Sequence, residues 1–305
     1  MRNKHKKDFL RYGENPNQKA FLINYSNKTI FDYQISGKKI SYNNLIDVDS
    51  GLRCLKEFHD PTSIIIKHTN PCGVASSKTI KNAFLKSYKS DPKSAFGGII
   101  LLNRKVNFDL AKKISENFFE MVVAFNYDKN ALELLKKKGN LILLKIPKIR
   151  MNSTDYKSTL FGDLYQTTDL IPINRKFLKL VSNIKASSKS IEDIIFSLKV
   201  AKHLKSNAIV LSANKQTLGL GHGQTNRVDA LNFAIKNKKK YFKKRSFVCA
   251  SDGFFPFTDS ISLLNKNGCK VVAQPSGSIN DKKIISFVIK NKISLYFIKN
   301  RIFKH

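Results

Sequence analysis

Lys67 and His68 stand directly after the β-branched run Ile64-Ile65-Ile66. A lysine ammonium can stabilise a developing oxyanion, and an imidazole can move a proton near neutral pH. The isoleucine run predicts a buried strand that ends at the pair, and ligands of open α/β sheets bind outside the carboxyl ends of strands. The turn cluster Thr69-Asn70-Pro71-Cys72-Gly73 predicts a loop beyond that strand. By itself a Lys-His pair is also what any charged surface presents. Arg11-Tyr12-Gly13-Glu14-Asn15-Pro16-Asn17-Gln18 is dense in hydrogen-bonding groups and too polar for a core. It reads equally as a phosphate clamp or as an N-terminal arm.

Two further segments carry chemical potential. Leu218-Gly219-Leu220-Gly221-His222-Gly223-Gln224 is read as a glycine-rich loop, but it lacks the spacings of dinucleotide and nucleoside-triphosphate loops. The alternative is a tight hairpin where backbones approach closely. Ser251-Asp252-Gly253-Phe254-Phe255-Pro256-Phe257-Thr258-Asp259 sets three phenylalanines around a proline, between two aspartates. It is either a core plug or the wall of a flat heterocycle, with Phe254 stacking. His68, Asn70, Pro71 and Cys72 are similar to the His…Pro-Cys pattern of zinc deaminases, but the second cysteine and the glutamate are missing, so zinc is not expected. His59 and His203 are expected to be structural, and His222 is left open by its place in the glycine loop. Cys54, Cys72, Cys249 and Cys269 form no Cys-x-x-Cys and read as free thiols.

These groups need a scaffold, and the pattern predicts one of alternating strands and helices. In the first half, helices are expected over 78–89, 109–119 and 129–138, with strands over 97–102, 121–125 and 141–144. In the second, helices are expected over 190–204, 227–235, 261–267 and 281–290, with strands over 208–211, 247–250, 271–273 and 294–298. The alternation implies a layered α/β sheet in each half. Residues 145–190 are less patterned and mark the boundary. No direct sequence repeat is visible, yet the halves are compatible with similar units.

The chain has 305 residues, 42% hydrophobic, which is enough for a sizeable core and excludes a disordered chain or a disulfide scaffold. No apolar stretch approaches the ~18 residues of a membrane span. Met1 to Asp8 lack the apolar region of a signal peptide, so a cytoplasmic location and no membrane partner are expected. The net charge of +33 would suit nucleic acid, but the basic residues are 46 Lys and only 9 Arg, spread along the chain. Lysine-rich solvated faces explain this without a specific nucleic-acid partner. The block Lys236-Asn237-Lys238-Lys239-Lys240 with Lys243-Lys244-Arg245 reads the same way, as a helix end and loop.

The ordered set of Arg11–Pro16, Lys67–Gly73, Ser94–Gly98, Ser206–Val210, Gly221–Val228, Ser251–Phe257 and Gln274–Ser278 resembles the transformylase half of the AICAR transformylase/IMP cyclohydrolase family. The resemblance runs from Leu10 to the end of the chain. It implies two cytidine-deaminase-like α/β/α units without zinc, spanning 1–165 and 166–305, with the cyclohydrolase domain absent. It implies an AICAR formyltransferase of purine biosynthesis, with 10-formyltetrahydrofolate as co-substrate and FAICAR as product. The implied assembly is a homodimer with sites at its interface, beside a separate cyclohydrolase. By the same resemblance His68 is the base, and Lys67 stabilises the oxyanion or assists the leaving folate nitrogen. Arg11, Tyr12 and Arg301 match nucleotide-phosphate contacts. Phe96, Gly97, Asn207, Arg227 and Phe254 match positions around base, ribose and folate. Glu120 takes the place of an acidic acceptor contact, and Lys138 that of a phosphate contact from the partner subunit. Asp252 and Ser206 lie where some members hold potassium.

Departures from the family pattern are Asn17 for His, Leu198 for Trp, His222 for a small residue, Thr225-Asn226 for a Met-Ser type pair, Gly253 for Ala and Thr258 for Arg. Residues 145–190 look shortened. Two alternatives follow: a folate- or nucleotide-binding protein that has lost turnover, and a transferase using a folate-independent formyl donor.

Overall fold

The computed structural model describes residues 7–24, 28–146, 148, 151–243 and 245–305. Met1 to Lys6 and Lys244, on which readings above fall, lie outside the described residues. Two short strands, β1 (Lys7–Phe9) and β2 (Phe21–Ile23), pair antiparallel ahead of the main body. Then come β3 (Gln34–Ser36), α1 (Tyr42–Leu55), β4 (Thr62–Lys67), β5 (Asn70–Ser76), α2 (Ile80–Ser90), α3 (Pro92–Ala95), β6 (Ile99–Leu102), α4 (Phe108–Ser115), β7 (Met121–Ala124), α5 (Lys129–Lys136) and β8 (Ile142–Lys145). An antiparallel hairpin, β9 (Thr154–Thr159) and β10 (Gly162–Thr167), follows. The second half runs through β11 (Leu178–Leu180), α6 (Ser188–Ala201), β12 (Ile209–Ser212), β13 (Thr217–Gly221), α7 (Arg227–Tyr241), β14 (Phe247–Ser251), α8 (Thr258–Lys266), β15 (Cys269–Pro275), α9 (Asp281–Lys290) and β16 (Ser294–Ile298).

The strands form two six-stranded mixed sheets of identical topology. The first has the order β3-β8-β7-β6-β4-β5 and the second β11-β16-β15-β14-β12-β13. In each, the last three strands in sequence are parallel, and a hairpin attaches antiparallel to their flank. Even the hairpin irregularities correspond: the register slips between Ile65 and Ile66 in one half and between Leu211 and Ser212 in the other. The similarity of the halves, invisible as a sequence repeat, is therefore a repeat of topology. The two sheets meet edge to edge, through an antiparallel bridge between Ala75 on β5 and Gln216 beside β13.

Both faces of the sheets are covered, so their strands are apolar throughout rather than alternating. Ile64 and Ile66 point into an inner cluster with Val48 and Leu55 of α1, while Ile65 joins an outer cluster with Phe84 of α2 and Leu110 of α4. In the second half Val210 faces inward, and Ile209 and Leu211 face outward. The inner faces of both halves belong to one apolar cluster, bridged by rings such as Phe58 and Phe196, 5.5 Å apart.

Residue 165, after which the division is expected, lies in β10, part of the exposed hairpin between the sheets. The structure corrects several element assignments. The segment expected as a loop over 69–73 is mostly strand β5: only His68 and Thr69 form the turn, and Pro71 is tolerated because β5 is an edge strand. The glycine-rich segment is likewise strand β13 as far as Gly221, with His222 to Gln224 beyond it. Its glycines let α7 lie close: a Cβ on Gly219 would sit 2.0 Å from the Ala234 carbonyl oxygen, and one on Gly221 would sit 1.8 Å from that of Ala230. This is the close backbone approach held open above, not a phosphate cradle. Helix α1 falls outside the elements expected from the pattern, although Ser41 and Asn44 form a capping box at its start.

Candidate active site

Lys67 ends β4 and pairs with Asn70, so the hairpin turns on two residues, His68 (φ 53°) and Thr69 (φ 64°). A two-residue turn with positive φ at both positions matches the twist of the flanking strands, but it is unfavourable for a β-branched threonine. The turn is held from below by α1. Asp47 accepts the Thr69 amide at 2.5 Å, with the His68 amide beside its carboxylate. Burial pushes the Asp47 carboxyl above its ordinary range, against the lowering effect of those two amides. The Thr69 carbonyl accepts from Ser50 Oγ at 2.8 Å. His68 is thus an exposed imidazole on a backbone fixed from both sides of its peptide.

Around Lys67 the first half gathers most of the predicted contacts. Lys67 Nζ donates to the Phe96 carbonyl at 2.9 Å, which aims the ammonium along the surface. Gly97 follows at φ 71°, and its amide donates to the Phe118 carbonyl. Phe96 is 60% exposed, packed on Phe118 at 5.3 Å, and presents an aromatic face. Glu120 immediately precedes β7, next to Gly98, whose carbonyl accepts its amide. Its carboxylate pairs with Lys38 at 2.9 Å and with Arg11 at 3.9 Å. Arg11 also donates to the Tyr12 hydroxyl at 3.0 Å, and its buried Nε has no partner among the described residues. Lys138 stands apart, lining a cleft with Ile114, Phe118 and Phe119.

The second half supplies a different cluster, at the carboxyl ends of β14 to β16. Arg227, the first residue of α7, donates from Nε to Ser251 Oγ (3.0 Å), from one terminal nitrogen to Asn207 Oδ1 (2.8 Å) and from the other to Asp252 (2.8 Å). Asp252 is fully buried, and its second oxygen accepts from Ser206 Oγ at 2.5 Å. Burial pulls the Arg227 guanidinium down, opposed by the Asp252 charge. A Cβ on Gly253 would lie 2.3 Å from an Arg227 terminal nitrogen, so the side chains of Arg227 and Phe303 pack directly over this glycine. Phe254 is partly exposed, and Arg301 stacks on Phe303 at 5.0 Å, with Arg227 on the same ring at 5.8 Å. Among the described residues Arg301 shares no hydrogen bond, ion pair or ring contact with Arg11 or Tyr12.

The edge pairing of β5 with β13 joins the clusters. The Lys205 amide, two residues before Asn207, reaches Asn70 Oδ1 at 3.4 Å. Lys304 Nζ donates to Ser50 Oγ at 2.9 Å, while its carbonyl accepts the Ser206 amide at 2.9 Å. The pair Lys67-His68 does lie at the carboxyl end of its strand. That strand runs antiparallel to β6, however, so in the first half the site occupies the amino end of the parallel strands. Sequence reasoning missed Asp47, Ser50, Lys38 and Lys304. The capping box and the apolar spacing of Leu45, Val48, Leu52 and Leu55 could have located α1; which of its polar residues meets the turn is a tertiary fact.

Of the predicted structural histidines, His203 is buried against Glu57 at 3.3 Å, and His59 only lends its carbonyl to Arg104. His222 is partly buried beyond β13, and burial lowers its imidazole below the ordinary value. Among the described residues no group of three or more His, Cys, Asp and Glu side chains converges as metal ligands would. No helix among them is long and apolar enough to cross a membrane.

A sequence model of the AICARFT/IMPCHase bienzyme matches residues 1–237. The bifunctional purine biosynthesis protein PurH of Caldicellulosiruptor bescii is 43% identical over 97% of this chain, covering 59% of its own length. That of Persephonella marina is 41% identical over 98% of the chain and 60% of its own. That of Buchnera aphidicola subsp. Schizaphis graminum is 44% identical over 98% and 59%. The chain thus spans about six-tenths of the length of the curated relatives it matches. With a match over most of its residues and a Lys67-His68 turn seated on a purpose-built clamp, the chain belongs to the AICARFT/IMPCHase bienzyme family.

Proposed function

We propose that this chain is an AICAR formyltransferase, moving a formyl group from 10-formyltetrahydrofolate to the 5-amino group of AICAR to give FAICAR. The observation that carries the reading is the Lys67-His68 turn, with its imidazole exposed on a clamped backbone and its ammonium oriented by the Phe96 carbonyl. The acceptor amine is a weak nucleophile, because its lone pair is delocalised into the imidazole and carboxamide. As its nitrogen bonds to the formyl carbon, His68 takes the N–H proton. Lys67, with two further N–H groups to offer, stabilises the oxyanion of the tetrahedral intermediate. Collapse breaks the bond to the folate nitrogen, which leaves with a proton. Arg11, Tyr12 and Arg301 bind the nucleotide phosphate, with Lys138 reaching it from the partner subunit. Glu120, Asn207 and Arg227 orient the acceptor. Phe96 and Phe254 offer aromatic faces to the flat rings, and the backbone at Gly97 passes close to them.

The separation of Arg301 from Arg11 and Tyr12 within one protomer suits a homodimer in which sites draw on both subunits. In this reading the halves are cytidine-deaminase-like units divided in the β9–β10 region, the enzyme is cytoplasmic, and a separate cyclohydrolase closes FAICAR. Of the donors considered for potassium, Asp252 and the Ser206 backbone, both Asp252 oxygens already accept hydrogen bonds, from Arg227 and from Ser206 Oγ, and the guanidinium supplies their countercharge. The test is AICAR-dependent release of tetrahydrofolate by the purified chain. Release that drops at least about 10²-fold in His68→Ala supports the reading. AICAR binding without release, or full release by the variant, overturns it.

A further inference from the structure

The two hairpin turns of the molecule are built alike but pinned differently. In the second half the turn residues are Asn214 (φ 53°) and Lys215 (φ 51°), and Asp193 of α6 accepts both their amides, at 2.9 and 2.7 Å, from the place where Asp47 accepts the Thr69 amide in the first half. The Lys215 carbonyl is then fixed by backbone: it accepts the Ser76 amide at 2.9 Å, beside the bridge of Ala75 to Gln216. The matching carbonyl in the first half, that of Thr69, has no backbone donor among the described residues. It accepts from Ser50 Oγ, and Ser50 Oγ accepts from Lys304 Nζ.

This substitution of side chains for backbone has a direction. Lys304 is the penultimate residue of the chain, and its backbone carbonyl accepts the amide of Ser206. Ser206 donates from Oγ to Asp252, which holds Arg227. Lys304 Nζ further donates to the His203 carbonyl at 3.4 Å. The ammonium is largely buried, among Asp49, Arg53, Cys54 and Lys205, and a buried ammonium persists only where its donors are used. One side chain therefore spans from the Arg227 cluster to the underside of the His68 turn.

We infer that Lys304 is a positioning residue for His68, acting through Ser50 and the Thr69 carbonyl, and that it sets the turn in register with the Arg227 cluster. The inference rests on the reading of His68 as the base. Lys304 touches no reacting atom: its charge orients the Ser50 hydroxyl, whose proton then faces the Thr69 carbonyl. Without it Ser50 Oγ is free to rotate, and the turn loses the restraint on its Thr69 carbonyl, keeping those from Asp47 and from Asn70 Nδ2 on the His68 carbonyl. Displacements near 1 Å can cost up to about 10²-fold in rate, so a loss of about tenfold is expected here.

The test uses the full chain with Lys304→Met, Lys304→Arg, Ser50→Ala, the double variant and His68→Ala. Two readings are taken: AICAR-dependent formyl transfer, and deuterium uptake of the segment 66–70 without substrate. The expected result is a kcat about tenfold lower in Lys304→Met and in Ser50→Ala, with the KM for AICAR within about twofold. The double variant should be no worse than either single one, and Lys304→Arg should recover most of the rate. Uptake at 66–70 should rise in Lys304→Met. Unchanged kcat and unchanged uptake in Lys304→Met overturn the inference, and so does a double variant whose loss is the product of the singles. Ser50→Ala removes a single oxygen and keeps the test decisive if Lys304→Met folds poorly. Failure of the underlying reading looks different: His68→Ala then keeps its rate, or the unaltered chain transfers nothing, while the uptake arm still decides whether Lys304 holds the turn.

Discussion

The turn at His68-Thr69 and the turn at Asn214-Lys215 occupy the same place in two sheets of the same topology, each with an aspartate from the preceding helix beneath it. Only the first carries a lysine and a histidine; the second has Ala213 before Asn214. The opposite ends of the sheets show the reverse. After β14, Asp252 donates its amide to the Ala208 carbonyl and holds Arg227 with its carboxylate. After β6, Asn103 makes the matching amide bond to the Thr62 carbonyl, but its side chain serves the backbone of Phe58, Asp60 and Thr62. The candidate site thus uses the turn end of one copy and the strand-carboxyl end of the other, joined along their edges. The fold supplies two such places, and side-chain identity equips one.

The widest gap between the copies should appear at the buried pair. Asp252→Ala strands a buried guanidinium and should cost about 3–5 kcal/mol in urea unfolding. Asn103→Ala leaves only neutral backbone groups unpaired and should cost about 1–3 kcal/mol. Equal losses would mean that the two sheet ends are energetically alike after all. Next comes turnover: Lys67→Met should lower kcat by about 10²-fold or more, whereas Lys215→Met should stay within about twofold. A comparable loss from Lys215 would show that the second turn also serves the reaction.

A smaller effect comes from exchanging turn residues. Asparagine tolerates positive φ better than threonine, so Asn214→Thr should destabilise the chain by about 1 kcal/mol and Thr69→Asn should stabilise it by a similar amount, measured by thermal unfolding. If Thr69→Asn gains nothing, the Asp47 clamp already fixes the turn in a form that threonine accepts.

The gentlest prediction concerns acid. Burial lowers the imidazoles of His203, against the pull of Glu57, and of His222, both in the second half. The unfolded chain therefore binds protons first as pH falls below about 6.5, and stability present above that value is lost below it. The slope should not exceed about 1.4 kcal/mol per pH unit for each histidine. Glu57 extends the loss. Burial raises its carboxyl, but His203 and Lys202 outweigh that and leave it below the ordinary value, so a further decline is expected below about pH 4.5. Replacing both histidines by glutamine should flatten the first limb in pH-dependent unfolding.

Much of this was readable in the residues. The strand 294–298 and the helix 281–290 have the expected bounds, because turn residues punctuate both ends. Lys67-His68 and Arg227 stand out as residue types in order, and the structure seats the pair at a hairpin turn and Arg227 on Asp252. What was not legible depends on contacts between distant segments. Pro71 and Gly73 carry the local signature of a loop, yet they lie in an edge strand, where proline removes no ladder bond and glycine admits the Ser87 carbonyl. Asp47 and Ser50 look like ordinary polar positions of a helix until the turn is placed above them. Lys304 looks like one more lysine among 46.

The apolar cluster shared by the inner faces has a consequence for cooperativity. Neither half owns a complete core: separated, each would leave its inner helix, α1 or α6, facing water. The chain should then melt in a single transition, and a fragment ending in the β9–β10 hairpin should not hold its structure alone. Loosening Phe196 would then be felt at the His68 turn, because the turn and the packing that carries it stand or fall as one thermodynamic unit.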